Sequence, residues 1–321
     1  MAARAGVADS TVGLVMQGRG DELGIPGATQ TRIREAAREI GYVPSKAMRS
    51  ILRGRSGILG LYLRWDQWTR PYGYFATVRW HLERALATRD LQMLVHNAPF
   101  GLSAEDAYAR QAGGVVDGVL LINSARDPIV ERLIASGLPA VEVGDPSGPL
   151  PFVACDGGAG VRLAMAHLVE RGYKRPAYLG HVTQYDDAAE RVETFQAEAV
   201  RLFPDIRPLR RVAQVMDGSI GLGALMGMAP RPDAVICASD EMGYEVLQAA
   251  LRQGLRVPED LAIVGFDAQH ALGAPQVLTS VATPLGEMAE AAVAKLLAIV
   301  AGEEIEARTV LEPTMRVADT T

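Results

Sequence analysis

Cysteine is almost missing from this chain: Cys155 and Cys237 are the only two in 321 residues. With five scattered histidines and no recurrent Cys/His spacing, that excludes a disulfide scaffold and a structural zinc site and points to a reducing compartment. Aromatic residues make up only 6%, and no apolar run approaches the ~18 residues that span a bilayer. The Ala- and Arg-rich start has no secretory apolar region. These absences predict a cytoplasmic protein with no membrane partner. No nucleophile–base pair stands out, and Gly157-Gly158-Ala159-Gly160 does not make a dinucleotide fingerprint. Neither an enzyme nor a cofactor or metal is expected. Cys237 lies in an apolar run and reads as core.

What is present is ordinary in amount and uneven in place. Hydrophobic residues are 49% and charged residues 22%, and the length fits about two domains. The net charge of −6 divides sharply. Residues 1–57 hold nine basic and five acidic side chains, a balance of +4, which leaves −10 for the rest. A basic head on an acidic body predicts that only the head meets a polyanion; a solvated helical surface is the plainer alternative.

Periodicity assigns the elements. Residues 29–40 place Ile33, Ala36, Ala37 and Ile40 on one helical face, with Gly41 and Pro44 ending the helix. Residues 2–7 and 10–17 read as two short helices about the turn Gly6-Val7-Ala8, which makes a helix-turn-helix pattern. A glycine-rich link, residues 18–27, joins them to the longer helix. From Gly57 on, the rhythm is strand, helix, strand. Strands are predicted at 58–63, 91–95, 118–122, 140–143, 177–179, 211–215, 234–237 and 261–264. Helices are predicted at 75–88, near 160–171 and at 190–202 and 241–253, with Gly137, Gly172 and Gly254 at helix ends. Alternating βα units in two runs imply two α/β lobes with parallel sheets. Polar residues at strand ends, including Asn123-Ser124, Asp156, Ser239-Asp240 and Asp267, predict a small-molecule cleft between the lobes. Asp156 and Asp240 could equally cap the helices that follow them.

Several long motifs in the right order resemble the LacI/GalR (lactose/galactose repressor) family of bacterial transcriptional regulators. They are residues 1–17, then Thr31-Arg32 through Gly41-Tyr42-Val43-Pro44-Ser45 to Arg49-Ser50-Ile51. In the body they are Val116-Asp117-Gly118, residues 167–173, residues 238–242 and residues 257–267. The resemblance implies a helix-turn-helix head on a two-lobed, periplasmic-binding-protein-like core of parallel sheets flanked by helices. It divides the chain into a head over 1–44 (its first helix truncated) and a hinge helix over 45–56. The first lobe is then 57–156 with a return segment near 283–309, and the second is 157–282 with 310–321.

The resemblance also implies a repressor that binds operator DNA as a homodimer under control of a small-molecule effector, a sugar ahead of a purine. Carried over residue by residue, Asp9, Ser10, Thr11, Leu14, Arg32, Ser45, Arg49 and Ile51 face DNA. Ala8 stands where a serine cap is usual, which leaves Asp9 either to cap the second helix or to read a base. Ile51 replaces the leucine wedged into the minor groove. Arg191, Ser239 and Asp267 hold the effector, with Ser239 in place of the usual asparagine. Trp65, Asp66, Tyr74, Ser124 and Asp156 complete the expected cleft. The aromatic stretch 65–75 either stacks Trp65 or Trp68 on a ring or packs beneath its own loop. The alternative to a repressor is an effector-binding sensor with a defective head.

Overall fold

The computed structural model describes residues 1–42, 55–64, 73–98, 102–112, 115–124, 126–181, 186–203, 209–213, 218–269 and 273–321. Ser45, Arg49, Ile51, Trp65, Asp66 and Trp68 lie outside the described residues, as does most of the expected hinge helix. Two compact units emerge, Met1–Gly57 and Ile58–Thr321.

The first unit is helical: α1 (Ala2–Ala5), α2 (Asp9–Met16) and α3 (Gly27–Glu39). Ala5, Val12, Val15, Ile33 and Ala36 form its core. The glycine-rich link closes over Gln30, a buried side chain that donates to Asp21 at 2.7 Å and to the Ile25 carbonyl at 2.9 Å. Two expectations fail here. Ile40 is 44% exposed, because α3 ends one residue earlier and Ile40 is its C-cap. Asp9 does not cap α2: Ala8 holds the N-cap position with no side-chain hydrogen bond, and Asp9 is already helical and exposed.

The second unit contains two six-stranded sheets. The first is built from β1 (Ile58–Arg64), β2 (Gln92–Ala98), β3 (Gly118–Ile122), β4 (Ala140–Val143), β5 (Phe152–Cys155) and β11 (Arg308–Leu311), ordered β11-β5-β4-β3-β1-β2. Its pairings are all parallel. Every residue of β3 and β4 is buried, as expected of central parallel strands covered on both faces. On one face α4 (Tyr74–Ala87) and α11 (Leu285–Ala301) bury Val78, Leu82 and Leu296 against Leu59, Leu61 and Leu63. On the other, α5 (Ala104–Ala112) and α6 (Ile129–Ser136) cover Tyr62, Val119 and Leu121.

The second sheet takes β6 (Pro176–His181), β7 (Leu209–Ala213), β8 (Ala234–Cys237), β9 (Ala262–Phe266), β10 (Thr279–Ala282) and β12 (Thr314–Arg316) in the order β12-β10-β9-β8-β6-β7. Helices α7 (Gly157–Glu170) and α8 (Asp186–Leu202) pack Val161 and Phe195 on one face. Helices α9 (Gly218–Met226) and α10 (Asp240–Arg252) pack Leu222 and Leu247 on the other. Each fully buried leucine of this kind contributes about 2 kcal/mol.

The strand at 211–215 sits two residues earlier than expected, and the sheet is parallel except for β12, which runs antiparallel to β10. The return segment reaches Leu311 rather than 309, because Val310 and Leu311 still pair with Ala154 and Cys155 of the first sheet. Gly41, Gly137, Gly172 and Gly254 all have positive φ, the helix-ending conformation their positions predict.

Candidate effector cleft

The chain crosses between the two sheets at Cys155–Gly157, at Ala282–Leu285 and at Leu311–Thr314. Asp156 and Thr283 sit on the first two crossings, beside the carboxyl ends of β5 and β10. Those crossings and the loops after β3 and β9 mark the candidate cleft. In open parallel sheets this is the side where ligands bind.

Arg191, on α8, is fixed from two directions. Its guanidinium lies 3.9 Å from the centre of the Phe266 ring, and Nη1 donates to the Ala238 carbonyl at 3.0 Å. A buried aromatic face beneath a cation and a carbonyl at its edge immobilise the donor fork. Asp267 follows Phe266 at the end of β9 with φ of 92°, and Ala268 continues at 51°. Non-glycine residues in this region store strain, which clusters at binding sites. The Asp267 carboxylate accepts from Thr283 Oγ at 3.0 Å. Burial pushes the Cys155 thiol up to about 12, against the pull of Arg191 and with the push of Asp267. Arg191 and Asp267 thus both bear on Cys155, and Asp267 directly follows the Phe266 on which Arg191 stacks.

The other expected ligands divide. Tyr74 begins α4, and its hydroxyl lies 3.4 Å from Asn123 Oδ1 at the end of β3, where φ is 43°. Ser124, one residue on, turns inward: its hydroxyl donates to Ile122 and its backbone amide to Glu142. Asn123 is the strand-end group beside Tyr74. Glu142 itself is a fully buried carboxyl, held well above the usual carboxylate range by burial. Asp156 caps α7 by accepting from the Ala159 amide, and Ser239 caps α10 by accepting from Met242 at 3.3 Å.

Asp240, read from sequence as a cap of that helix, is not one. Ser239 takes the position, and Asp240 turns into the interior to receive Ser280 Oγ at 2.6 Å and the Gln269 amide. Asn123 was among the strand-end groups read from sequence; Phe266, Thr283 and Gln269 were not singled out as cleft ligands. Only Phe266, adjacent to Asp267, had a local signal. Among the described residues no His/Cys/Asp/Glu group could hold a metal ion, and no helix is long and apolar enough to cross a membrane.

In the head, α2 exposes Asp9 and Ser10, with Thr11 and Leu14 half-buried on its flank, and Arg32 is exposed on α3. These residues do not contribute to the core, which uses Val12 and Val15.

Residues 165–320 match the model of a periplasmic binding protein-like domain. The transcriptional regulator CelR of Thermobifida fusca is 31% identical, covering 99% of this chain and 96% of its own. The chain belongs to the LacI/GalR family. Within it, the regulator GntR of Pseudomonas aeruginosa is 28% identical over 95% of this chain and 89% of its own. The solved CelR–cellobiose complex superposes with a TM-score of 0.74 at 29% identity, covering 100% of this chain and 98% of that one. A Lac repressor dimer bound to operator and an anti-inducer shares the fold, with a TM-score of 0.85 at 19% identity over 99% of this chain and 97% of that one. This protein is accordingly a helix-turn-helix transcriptional regulator with a two-lobed core.

Proposed function

We propose that the protein is a cytoplasmic regulator, not an enzyme, that binds operator DNA as a homodimer. A sugar or sugar-like effector held between the lobes sets its affinity. The observation that carries this reading is the Arg191 fork immobilised on Phe266 and the Ala238 carbonyl, with the strained Asp267 following Phe266 at the strand end. A rigid donor pair with a carboxylate acceptor suits the hydroxyls of a neutral polyol. That CelR has been solved with cellobiose makes a β-linked disaccharide the first probe. Tyr74 and Asn123 would meet the ligand from the first lobe, with Trp65 and Asp66 as further contacts. Asp156 and Ser239 would present what their capping bonds leave free.

On the DNA side, Asp9, Ser10, Thr11, Leu14 and Arg32 would contact the operator, with Ser45, Arg49 and Ile51 completing the hinge. The charge of +4 on residues 1–57 predicts strong salt dependence. Two heads neutralising about six phosphates should lose about 10³-fold in affinity between 50 and 200 mM salt. Titration of the full chain against genomic fragments at both salts checks this, and salt-independent retention contradicts it. The second reading, a sensor whose head does not grip DNA, is favoured by the absence of a side-chain cap on α2. Failure to retain any fragment at 50 mM salt would select it.

The effector is tested separately by melting. A ligand at ~100-fold above its dissociation constant stabilises the body by about 2.7 kcal/mol, a shift of several degrees. A panel of mono- and disaccharides with purines as controls should produce that shift for a sugar. Arg191→Ala should remove it while costing the unliganded body little. A variant that keeps the full shift refutes the assignment of Arg191, and a shift by a purine alone refutes the sugar.

A further inference from the structure

A hydroxyl on the first turn of α4 has two acceptors and one hydrogen. Thr77 Oγ lies 2.9 Å from the carbonyl of Gly73, four residues back, and 2.5 Å from Oε1 of Gln269 in the loop after β9. Helix α4 belongs to the first lobe and that loop to the second, so the contact with Gln269 spans the cleft. One hydroxyl hydrogen serves one acceptor fully at a time.

Gln269 is held so that it cannot follow a moving lobe. Its backbone amide donates to buried Asp240, and its carbonyl accepts from Arg316 at 3.3 Å and from the Tyr244 hydroxyl at 3.5 Å. Its side-chain Nε2 donates to the Asp267 carbonyl at 3.2 Å, which fixes Oε1 towards Thr77; the reversed amide would set two oxygens against each other. The same turn of α4 meets the second lobe again at Gly73. There φ is 89°, and a Cβ would fall 1.4 Å from Glu241 Oε1.

We propose that Thr77 is a hydroxyl switch for closure of the cleft. With the lobes closed it donates to Gln269, and with the lobes apart it falls back on the Gly73 carbonyl. The hydroxyl keeps an acceptor in both states, and Gln269 Oε1 is left to water once the lobes part, so the penalty for breaking the bond is reduced and the two arrangements stay close in free energy. Arg191 and Asp267 both belong to the second lobe, so a ligand held there biases the switch towards closure through what it also meets on the first lobe, Tyr74 and Asn123. The proposal rests on the reading of the cleft as an effector site.

The two cysteines supply the test. Cys155 is half-buried at the cleft, and Cys237 is fully buried in β8, so N-ethylmaleimide labelling of the full chain without sugar reads opening at one and unfolding at the other. Thr77→Val, which keeps shape and loses the hydroxyl, should raise Cys155 labelling about two- to tenfold. Thr77→Ser should stay at the wild-type rate, with Cys237 protected throughout. Gln269→Leu should match Thr77→Val, and the double variant should add nothing. A wild-type rate in Thr77→Val overturns the switch. So does a Thr77→Ser rate equal to that of Thr77→Val, which would trace the effect to the methyl group. Should Thr77→Val expose Cys237, Gln269→Leu decides: faster Cys155 labelling supports the switch and a wild-type rate overturns it. No ligand enters this measurement, so its failure leaves the effector reading standing. Conversely, a sugar panel without a hit leaves the labelling result intact.

Discussion

Ile33→Ala should abolish operator retention while the body melts as before. Ile33 is fully buried at the centre of the first unit, where Ala5, Val12, Val15 and Ala36 are its buried neighbours. It is the largest side chain among those five, and α3 presents it to both α1 and α2. Truncating a buried isoleucine to alanine costs about 2–5 kcal/mol, because the cavity collapses only in part. A unit of 57 residues buries a smaller fraction of its surface than a large domain does and has little reserve, so most heads should unfold. The larger unit has its own cores on both faces of each sheet and does not use this side chain. Hydrogen exchange should show residues 1–42 losing protection, with protection of β3 and β8 unchanged. Retained protection in the head together with unchanged DNA retention would contradict the assignment of Ile33 as the keystone of that core.

How far the fold was legible follows from which residues carry it. The central strands Gly118–Ile122 and Ala234–Cys237 are unbroken apolar runs, and a parallel sheet buried on both faces requires such runs. The edge strands β11 and β12 have no such signature. Arg308–Leu311 alternates between exposed and half-buried residues, and its pairing is decided by where α11 delivers the chain. Ile40 fitted the helical period but lies past the last turn that packs, so periodicity placed it inward and the boundary placed it outside. At Ser239-Asp240 both side chains can cap a helix. The serine took the cap because Ser280 and Gln269, distant in sequence, offer the aspartate a buried site. Arg191 was reached through a family resemblance, and Asp267 through that and its place at a strand end. The partners that fix them, Phe266, Ala238 and Thr283, are tertiary neighbours with no common local pattern. The contact of Thr77 with Gln269, 192 residues apart, had no sequence signal at all.

Buried Asp240 should make the body less stable as pH rises from acid towards 8.5, and Asp240→Asn should remove that dependence. Burial raises its carboxyl to about 8 from the ordinary 3.8. The bond from Ser280 and the Gln269 amide pull the other way, and the neighbouring Asp267 carboxylate adds to the rise. Arg316 stands 3.9 Å off and spends its guanidinium on the carbonyls of Ala268 and Gln269, which leaves it a weak partner. A group whose folded pKa is raised holds its proton longer in the folded chain than in the unfolded one. Its stabilisation is therefore complete below about pH 4 and is lost as pH climbs through 8, at no more than about 1.4 kcal/mol per pH unit. Protonated Asp240 can donate to Ser280 Oγ while its other oxygen keeps the Gln269 amide. Asparagine reproduces both bonds at every pH. Melting of the full chain at pH 5.5 and 8.5 should thus show Asp240→Asn near wild type at the lower pH and several degrees more stable at the higher. Because Glu142 is present in both proteins, its own raised carboxyl cancels in the difference. A difference between the two proteins that does not change with pH would mean that Asp240 is ionised in the fold, with Arg316 as its true counter-charge.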